Sequence, residues 1–294
     1  MEALVERYRL NYGLASEEPL TEEQVRSHFE LERRLADDLH ASTPASRRQT
    51  FERCYSELYR ELPWLNTANL VADVGDWPAL IGPSPKRVYE IGSGQGGLAR
   101  ALADCGYDVE ATEITLERGR RRGEYPGVRW SETDGVYVDR FAVSPPYDAV
   151  VSNQVVEHLH PDDLLDHFRG VYSILRPGGR YAFTTPHVFT GPSDISRVFL
   201  LDHVVGMHLR EYSHRELKPK LLQAGFSSVA APFALPKKIR STLGLPLRLS
   251  ANYLRYLIGV ESLLERLSTN SRASIVAHLV RPVFAKDIAL VANR

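Results

Sequence analysis

The sequence predicts an α/β protein built on a doubly wound, mostly parallel sheet, and two observations carry that expectation. The first is the stretch Val88-Tyr89-Glu90-Ile91-Gly92-Ser93-Gly94-Gln95-Gly96-Gly97-Leu98-Ala99-Arg100. It reads as a short apolar strand, a glycine turn and a helix carrying Leu98, Ala101, Leu102 and Cys105 at helical spacing. The second is the alternation of strand-like and helix-like segments that follows it. Together they describe a Rossmann-like sheet of seven strands, with a helical extension before it and a helical insert before its last strand.

Residues 1–82 read as a helical cap. Thr21 and Gln24 form a capping-box pattern, and the helix they open runs to about His40 with Val25, Phe29, Leu31, Leu35 and Leu39 largely on one side. A second helix is expected to start with Thr43 as cap and Pro44 as first residue, to carry Phe51, Tyr55, Leu58, Tyr59 and Leu62, and to stop at Pro63. Pro83-Ser84-Pro85 leads into the core, 83–232. There the expected order is strand 87–91, helix 95–105, strand 108–113, helix 115–122, strand 127–131 and strand 147–152. Helix 161–175, strand 179–185, a helix capped by Ser213 and Glu216 and ending at Gly225, and strand 226–231 complete it. The insert, 233–282, precedes a closing strand within 283–294, expected over Val283 to Val291.

The chain has 294 residues, 43% hydrophobic and 25% charged, an ordinary globular balance with enough apolar residues for a sizeable core. A net charge of −1 and a pI near 6.8 give no global basic footprint, so no nucleic-acid partner is expected. The two cysteines, Cys54 and Cys105, have no metal-ligand spacing and read as free core thiols in a reducing compartment. The beginning of the chain lacks a signal-peptide pattern, and no stretch approaches the ~20 apolar residues of a membrane span, so the cytoplasm is the expected location.

Gly92 and Gly94 let the backbone turn tightly and approach a ligand where a Cβ would collide. The spacing 92, 94, 97 also fits a dinucleotide fingerprint, so the glycines alone do not separate the ligands. Glu90, two residues before the first glycine, suits a cationic ligand better than a pyrophosphate. Glu113, 21 residues after Gly92 at the end of the second strand, is placed to accept both hydroxyls of a ribose.

That carboxylate with its glycines resembles motif I of the class I S-adenosylmethionine-dependent methyltransferases. Three further stretches follow in the family's order: Ala111-Thr112-Glu113-Ile114, the run from Tyr147 to Leu159, and Leu175-Arg176-Pro177-Gly178-Gly179-Arg180. The resemblance reaches to about Val229. It implies S-adenosylmethionine as cofactor and S-adenosylhomocysteine as product. It places Gly92 and Gly94, with Gln95 in the same turn, against the methionine and ribose, and Glu90 near the amino group. Ile114 would pack on adenine, Asp134 beside Gly135 would meet the exocyclic amine, and Asn153 and Gln154 would border the methionine end.

On the acceptor side the resemblance points to Glu157-His158. A similar pair occurs in the ubiquinone-biosynthesis O-methyltransferases and in plant small-RNA 2′-O-methyltransferases. In the latter a glutamate three residues earlier joins a Mg²⁺ site; here Gln154 stands at that position, so no metal is expected. His187 and His208 are further candidates for a base or ligand, which makes the catalytic set His158, Glu157, His187 and His208. His160, His167 and His203 read as surface or packing residues. In this class such N-terminal helices often lie over the cofactor and close the substrate cavity, although they can equally be a stabilising appendage.

Residues 236–260 hold five basic residues, Lys237, Lys238, Arg240, Arg248 and Arg255, and no acidic one. This stretch fits a packed helix, a lid over the acceptor, or a peripheral membrane contact. The expected activity is methyl transfer to a hydroxyl of a small molecule, sugar or lipid-linked saccharide in a biosynthetic setting, with a small-molecule or glycan acceptor as partner. An RNA 2′-O-methyltransferase would need a positive groove, for which 237–255 is the sole candidate. An NAD-dependent oxidoreductase would share the glycines and Glu113 but not Glu90 or Leu-Arg-Pro-Gly-Gly. A binding role or a non-methylating chemistry on the same fold is the remaining alternative.

Overall fold

The structure, a computed structural model, describes residues 2–14, 19–66, 74–83, 86–115, 123–233, 246–267 and 286–294. Its strands are β1 (Arg87–Ile91), β2 (Asp108–Glu113), β3 (Val128–Glu132), β4 (Tyr147–Asn153), β5 (Leu175–Pro186), β6 (Ser228–Phe233), β7 (Arg248–Ser250) and β8 (Asp287–Asn293). They form one sheet in the order β3-β2-β1-β4-β5-β8-β6-β7. The first five run parallel; β8 is antiparallel to β5, and β6 is antiparallel to β8. The strand order reverses between β1 and β4, which opens a crevice at their carboxyl ends.

The sheet has eight strands rather than the expected seven. The addition is β7, inside the insert, which pairs antiparallel with β6. Its three residues are too few to display an alternation, and only the exposed edge of β6 makes them a strand.

Helices cover both faces, so the central strands are buried throughout. On one face lie α6 (Leu164–Ile174), α7 (His214–Gln223) and α8 (Ala251–Leu264). Their Phe168, Val171, Leu217, Leu221, Leu254 and Leu257 pack with Tyr181, Phe183, Ile288 and Leu290 of the sheet. The other face is covered by α4 (Trp77–Ile81) and α5 (Gly97–Asp104), through Leu80, Ile81, Leu98 and Leu102 against Val88, Val109, Val151 and Val291. The described part of the insert is therefore a short edge strand, β7, and a helix packed on the body. Lys237, Lys238 and Arg240 lie outside the described residues, as does helix 115–122 beyond Thr115.

Three helices precede the sheet: α1 (Glu2–Tyr12), α2 (Glu22–His40) and α3 (Arg47–Glu61). The Thr21–Gln24 capping box is formed in both directions. The buried stripe of α2 is Val25, His28, Glu32, Leu35, Ala36 and Leu39, with Phe29 and Leu31 half-buried at its margins, so the stripe includes two polar residues that the apolar pattern did not contain. Helix α3 starts at Arg47, not Pro44, because Thr43 and Ser46 bond across a separate turn, with Thr43 N–H donating to Ser46 Oγ at 3.1 Å. Helices α2 and α3 pack with Met207, Leu209 and Ile114, which sets them over the carboxyl ends of the strands.

Cys54 is buried, but Cys105 is exposed rather than in the core. Helix α5 ends at Asp104, and Gly106, at φ +84°, turns the chain away before the apolar stripe reaches Cys105. The closing strand begins at Asp287; the expected start at Val283 lies outside the described residues. Among the described residues no helix is long and apolar enough to cross a membrane.

Candidate active site

The turn after β1 has Gly92, Gly94 and Gly96 at φ +69°, +56° and +80°. A Cβ on Gly92 would stand 2.6 Å from Cγ2 of Val155, so the β1 turn approaches the loop after β4 as only glycine permits. Ser93 stitches the turn to β2: its N–H donates to the Thr112 carbonyl at 2.9 Å, and its Oγ accepts from Thr112 N–H at 3.0 Å. Gly94 N–H donates to Oε1 of Glu113 at 2.5 Å, and Ile114 N–H to Oε2 at 3.3 Å. The Glu113 carboxylate is thereby held against the glycine turn at the mouth of the crevice.

A cavity of about 380 Å³ opens there. The sheet side contributes Ile91, Gly92, Gly94, Glu113, Ile114, Thr133, Asp134, Gly135, Gln154, Val155 and Leu159. The helical cap contributes Tyr12, Glu32, Phe51, Tyr55, Leu58, Tyr59 and Leu62, and His158 and Met207 complete the wall. Among the candidates read from sequence, Gly92, Gly94, Glu113, Ile114, Asp134, Gly135, Gln154 and His158 line it; Glu90, Gln95, Asn153, Glu157, His187 and His208 do not.

Asp134 Oδ1 accepts from the N–H groups of Val136 and Tyr137, both at 2.8 Å, which closes the loop after β3; burial raises its pKa. Gln154 sits at φ +58°, a left-handed conformation that costs a residue with a Cβ about 1–2 kcal/mol. Its side-chain amide donates to Thr184 Oγ1 at 3.3 Å.

His158 Nδ1 lies 2.8 Å from the Met207 carbonyl, an acceptor only, so Nδ1 carries the proton and Nε2 the lone pair. Burial, with His208 beside it, pushes this ring down to about 3. His208 behaves oppositely: burial works against its charge, but its bond to Glu211, 3.0 Å between Nδ1 and Oε1, and the nearby Glu157 and Asp194 raise its pKa. Glu157 is fully buried. Its Oε2 accepts from Thr185 Oγ1 at 2.8 Å, while Oε1 has no partner. Burial pushes it up to about 7, against the pull of His208.

One ligand atom each from Glu157, His158 and His208 lies within 4.8 Å of the others. Each imidazole has its Nδ1 occupied by a carbonyl or carboxylate, the arrangement that orients metal-bound histidines. These three side chains can therefore hold either a proton or a divalent cation.

A second triple, His187, His214 and Glu261, is a staple rather than a site. Glu261 accepts from His187 Nε2 at 2.8 Å, His214 Nδ1 at 2.6 Å, and the backbone N–H groups of His214 and Arg215, both at 2.9 Å. Burial opposes its charge, but the two histidine bonds hold its pKa down to about 2. His187 is wholly buried in this contact, and its Nδ1 accepts from Phe189 N–H at 3.1 Å. The expectation that it serves as a base is corrected: its ring is used up in tying the insert to the end of β5.

Glu90, on β1 two residues before the glycine turn, does not itself line the cavity. Its side chain is buried, and Oε2 has no partner. A buried carboxylate oxygen left without a donor is costly unless a ligand brings a cation. Residues 58–231 match the family described as "Methyltransferase domain". The chain belongs to that family.

Among curated proteins, the malonyl-[acyl-carrier protein] O-methyltransferase of Enterobacter lignolyticus (strain SCF1) is 27% identical over 177 residues, 59% of this chain. The match spans 64% of that relative's length. Among solved structures, the Burkholderia thailandensis 1,6-didemethyltoxoflavin-N1-methyltransferase, crystallised with 1,6-didemethyltoxoflavin and S-adenosylhomocysteine, superposes with a TM-score of 0.51 at 17% identity. It covers 86% of this chain and 91% of its own. An S-adenosylmethionine-dependent methyltransferase from Mesorhizobium loti gives a TM-score of 0.47 at 18% identity, over 77% of this chain and 100% of its own.

The protein is thus an S-adenosylmethionine-dependent methyltransferase of class I. Its acceptor wall holds residues with no sequence motif: Tyr12, Glu32, Tyr55, Tyr59 and Met207. The readable signal was His28 and Glu32 falling, at spacing i, i+4, on the same stripe as Val25, Leu35 and Leu39. His167 is a packing residue, with its ring between the Gly135 carbonyl and the Tyr181 hydroxyl, whereas His203 is exposed.

Proposed function

We propose that this methyltransferase transfers its methyl group to a hydroxyl of a small molecule, such as a sugar or a lipid-linked saccharide. The carrying observation is His158: it lines the cavity, and its only unprotonated nitrogen is Nε2. The relative named as an O-methyltransferase supports oxygen as the acceptor atom. When bound, the cofactor supplies a sulfonium-activated methyl, so the protein's task is alignment and exclusion of water. The glycine turn, Glu113 and Glu90 hold the cofactor, and the helical cap roofs the acceptor.

His158 Nε2 accepts the hydrogen bond of the attacking hydroxyl and orients it. A charged imidazole is disfavoured at this depth. The proton therefore passes through Nε2 only while the methyl transfers and leaves to solvent as the product departs.

The test is transfer of labelled methyl into lipid, glycan, small-molecule and nucleic-acid fractions, followed by mild alkali. Alkali-stable ether label in one of the first three fractions is expected; label released by alkali, or found in nucleic acid, refutes the reading. His158→Ala should lower kcat by about 10²–10⁴-fold with S-adenosylhomocysteine affinity unchanged.

A further inference from the structure

The acceptor wall carries a charge that no cofactor contact consumes. Glu32 is buried on α2 and lines the cavity from the helical cap, whereas Glu113 and Asp134 line it from the sheet domain. A chain of hydrogen bonds holds it in place. Trp64 Nε1, a donor only, gives to the Tyr8 hydroxyl at 2.9 Å. The Tyr8 hydroxyl lies 2.8 Å from His28 Nδ1, and His28 Nε2 donates to Glu32 Oε1 at 2.7 Å.

Met207 N–H donates to Oε2 at 3.1 Å, and the Tyr12 hydroxyl bonds the same carboxylate. Burial works against this charge, but the His28 bond and charge, the Met207 amide and the nearby His208 hold Glu32 below its ordinary pKa. A second carboxylate, Asp194, lies behind it. A Cβ on Gly206 would meet Glu32 Oε2 at 2.4 Å and Asp194 Oδ2 at 2.8 Å, so the absence of a side chain there lets the two acids converge.

Around this charge stand the rings of Tyr12, Tyr55 and Tyr59, all on the cavity wall. Aromatic faces beside the carboxylates of Glu32, Glu113 and Asp134, with neither Lys nor Arg among the described lining residues, attract a positive group and repel an anion. We propose that the acceptor is an ammonium-bearing ring compound, held by Glu32 and the three tyrosines, and that carboxylate-bearing ring compounds are disfavoured. This rests on the methyl-transfer reading of the same cavity and adds the charge of the substrate to it.

Three phenols that differ mainly in side-chain charge test the proposal: tyramine, the neutral alcohol tyrosol, and 4-hydroxyphenylacetate. Each is titrated by calorimetry into the full chain saturated with S-adenosylhomocysteine, whose own binding is measured first. Tyramine should bind tightest and 4-hydroxyphenylacetate weakest, with about tenfold or more between them. Glu32→Gln should narrow that ratio, and Tyr59→Leu should weaken tyramine without improving the acid. Equal affinities, the reverse order, or no binding of any phenol to the cofactor-loaded protein overturns the proposal. Failure of S-adenosylhomocysteine itself to bind would instead refute the cofactor site.

Discussion

Burial pushes the pKa of Glu90 up to about 8, with a Ser93 hydrogen bond opposing and the Glu113 charge adding to the rise. A cofactor ammonium reaching this carboxyl pairs only with its ionised form, so binding must release the proton. With a free-state pKa of about 8, about 1% of Glu90 is ionised at pH 6 and about 24% at pH 7.5. The affinity for S-adenosylhomocysteine should therefore rise by about 25-fold across that interval, or ~1.9 kcal/mol. An α-amino group with a pKa of about 7.7–8.0 has begun to lose its own proton at pH 7.5, which trims the rise by less than about twofold.

Calorimetry in two buffers of different ionisation enthalpy should report release of close to one proton near neutral pH, and Glu90→Gln should flatten the profile. A pH-independent affinity without proton release, or the same profile in Glu90→Gln, would show that Glu90 does not answer the ammonium. The sign is opposite for the unliganded fold. A raised carboxyl pKa means the folded chain binds more protons than the unfolded chain, so this residue's contribution to stability falls as pH rises from the unfolded value towards 8.

Glu113→Ala should weaken S-adenosylhomocysteine binding by about 1–3 kcal/mol, because it removes charge-assisted bonds to the ribose; an affinity within twofold of the parent protein refutes that role. Glu261→Ala should destabilise the fold by about 3–5 kcal/mol in denaturant titration, since it leaves His187, His214 and the start of α7 without their shared acceptor. The pKa of Glu261 is depressed to about 2, so the stability it adds is complete above about pH 4.5 and is lost as pH falls through about 2; a transition insensitive to Glu261→Ala in acid and at neutrality alike would contradict this. Chelation separates the two occupants of the Glu157, His158 and His208 group: activity that survives EDTA means a proton suffices, whereas loss restored by Mg²⁺ or Mn²⁺ assigns a cation there.

The cofactor half of this methyltransferase was legible in the sequence because its chemistry is local. Tight turns need glycine, a strand end projects its last side chain into the crevice, and Gly92, Gly94, Glu113 and Ile114 lie in two short runs that neighbouring parallel strands bring together. The strand-helix alternation is likewise written in hydrophobic periods, and the boundaries of β1 and β2 followed from it. The end of α5, the start of α3 and strand β7 did not follow, because each depends on a turn or a neighbouring edge rather than on a period.

The acceptor half was decided by packing across long separations. Glu32 joins Met207 across 175 positions, and His158 joins the Met207 carbonyl across 49. No spacing in the chain announces that α2 will bury a carboxylate against that segment. Sequence put His158 first, beside Glu157, with His187 and His208 as further candidates, but could not say what each would meet. Burial alone separated them: His187 went to a structural carboxylate, His208 to a raised pKa beside Glu211, and His158 to the cavity wall with one nitrogen free. Which polar groups end up desolvated, and which partners they then find, is a property of the packed chain and not of any stretch of it.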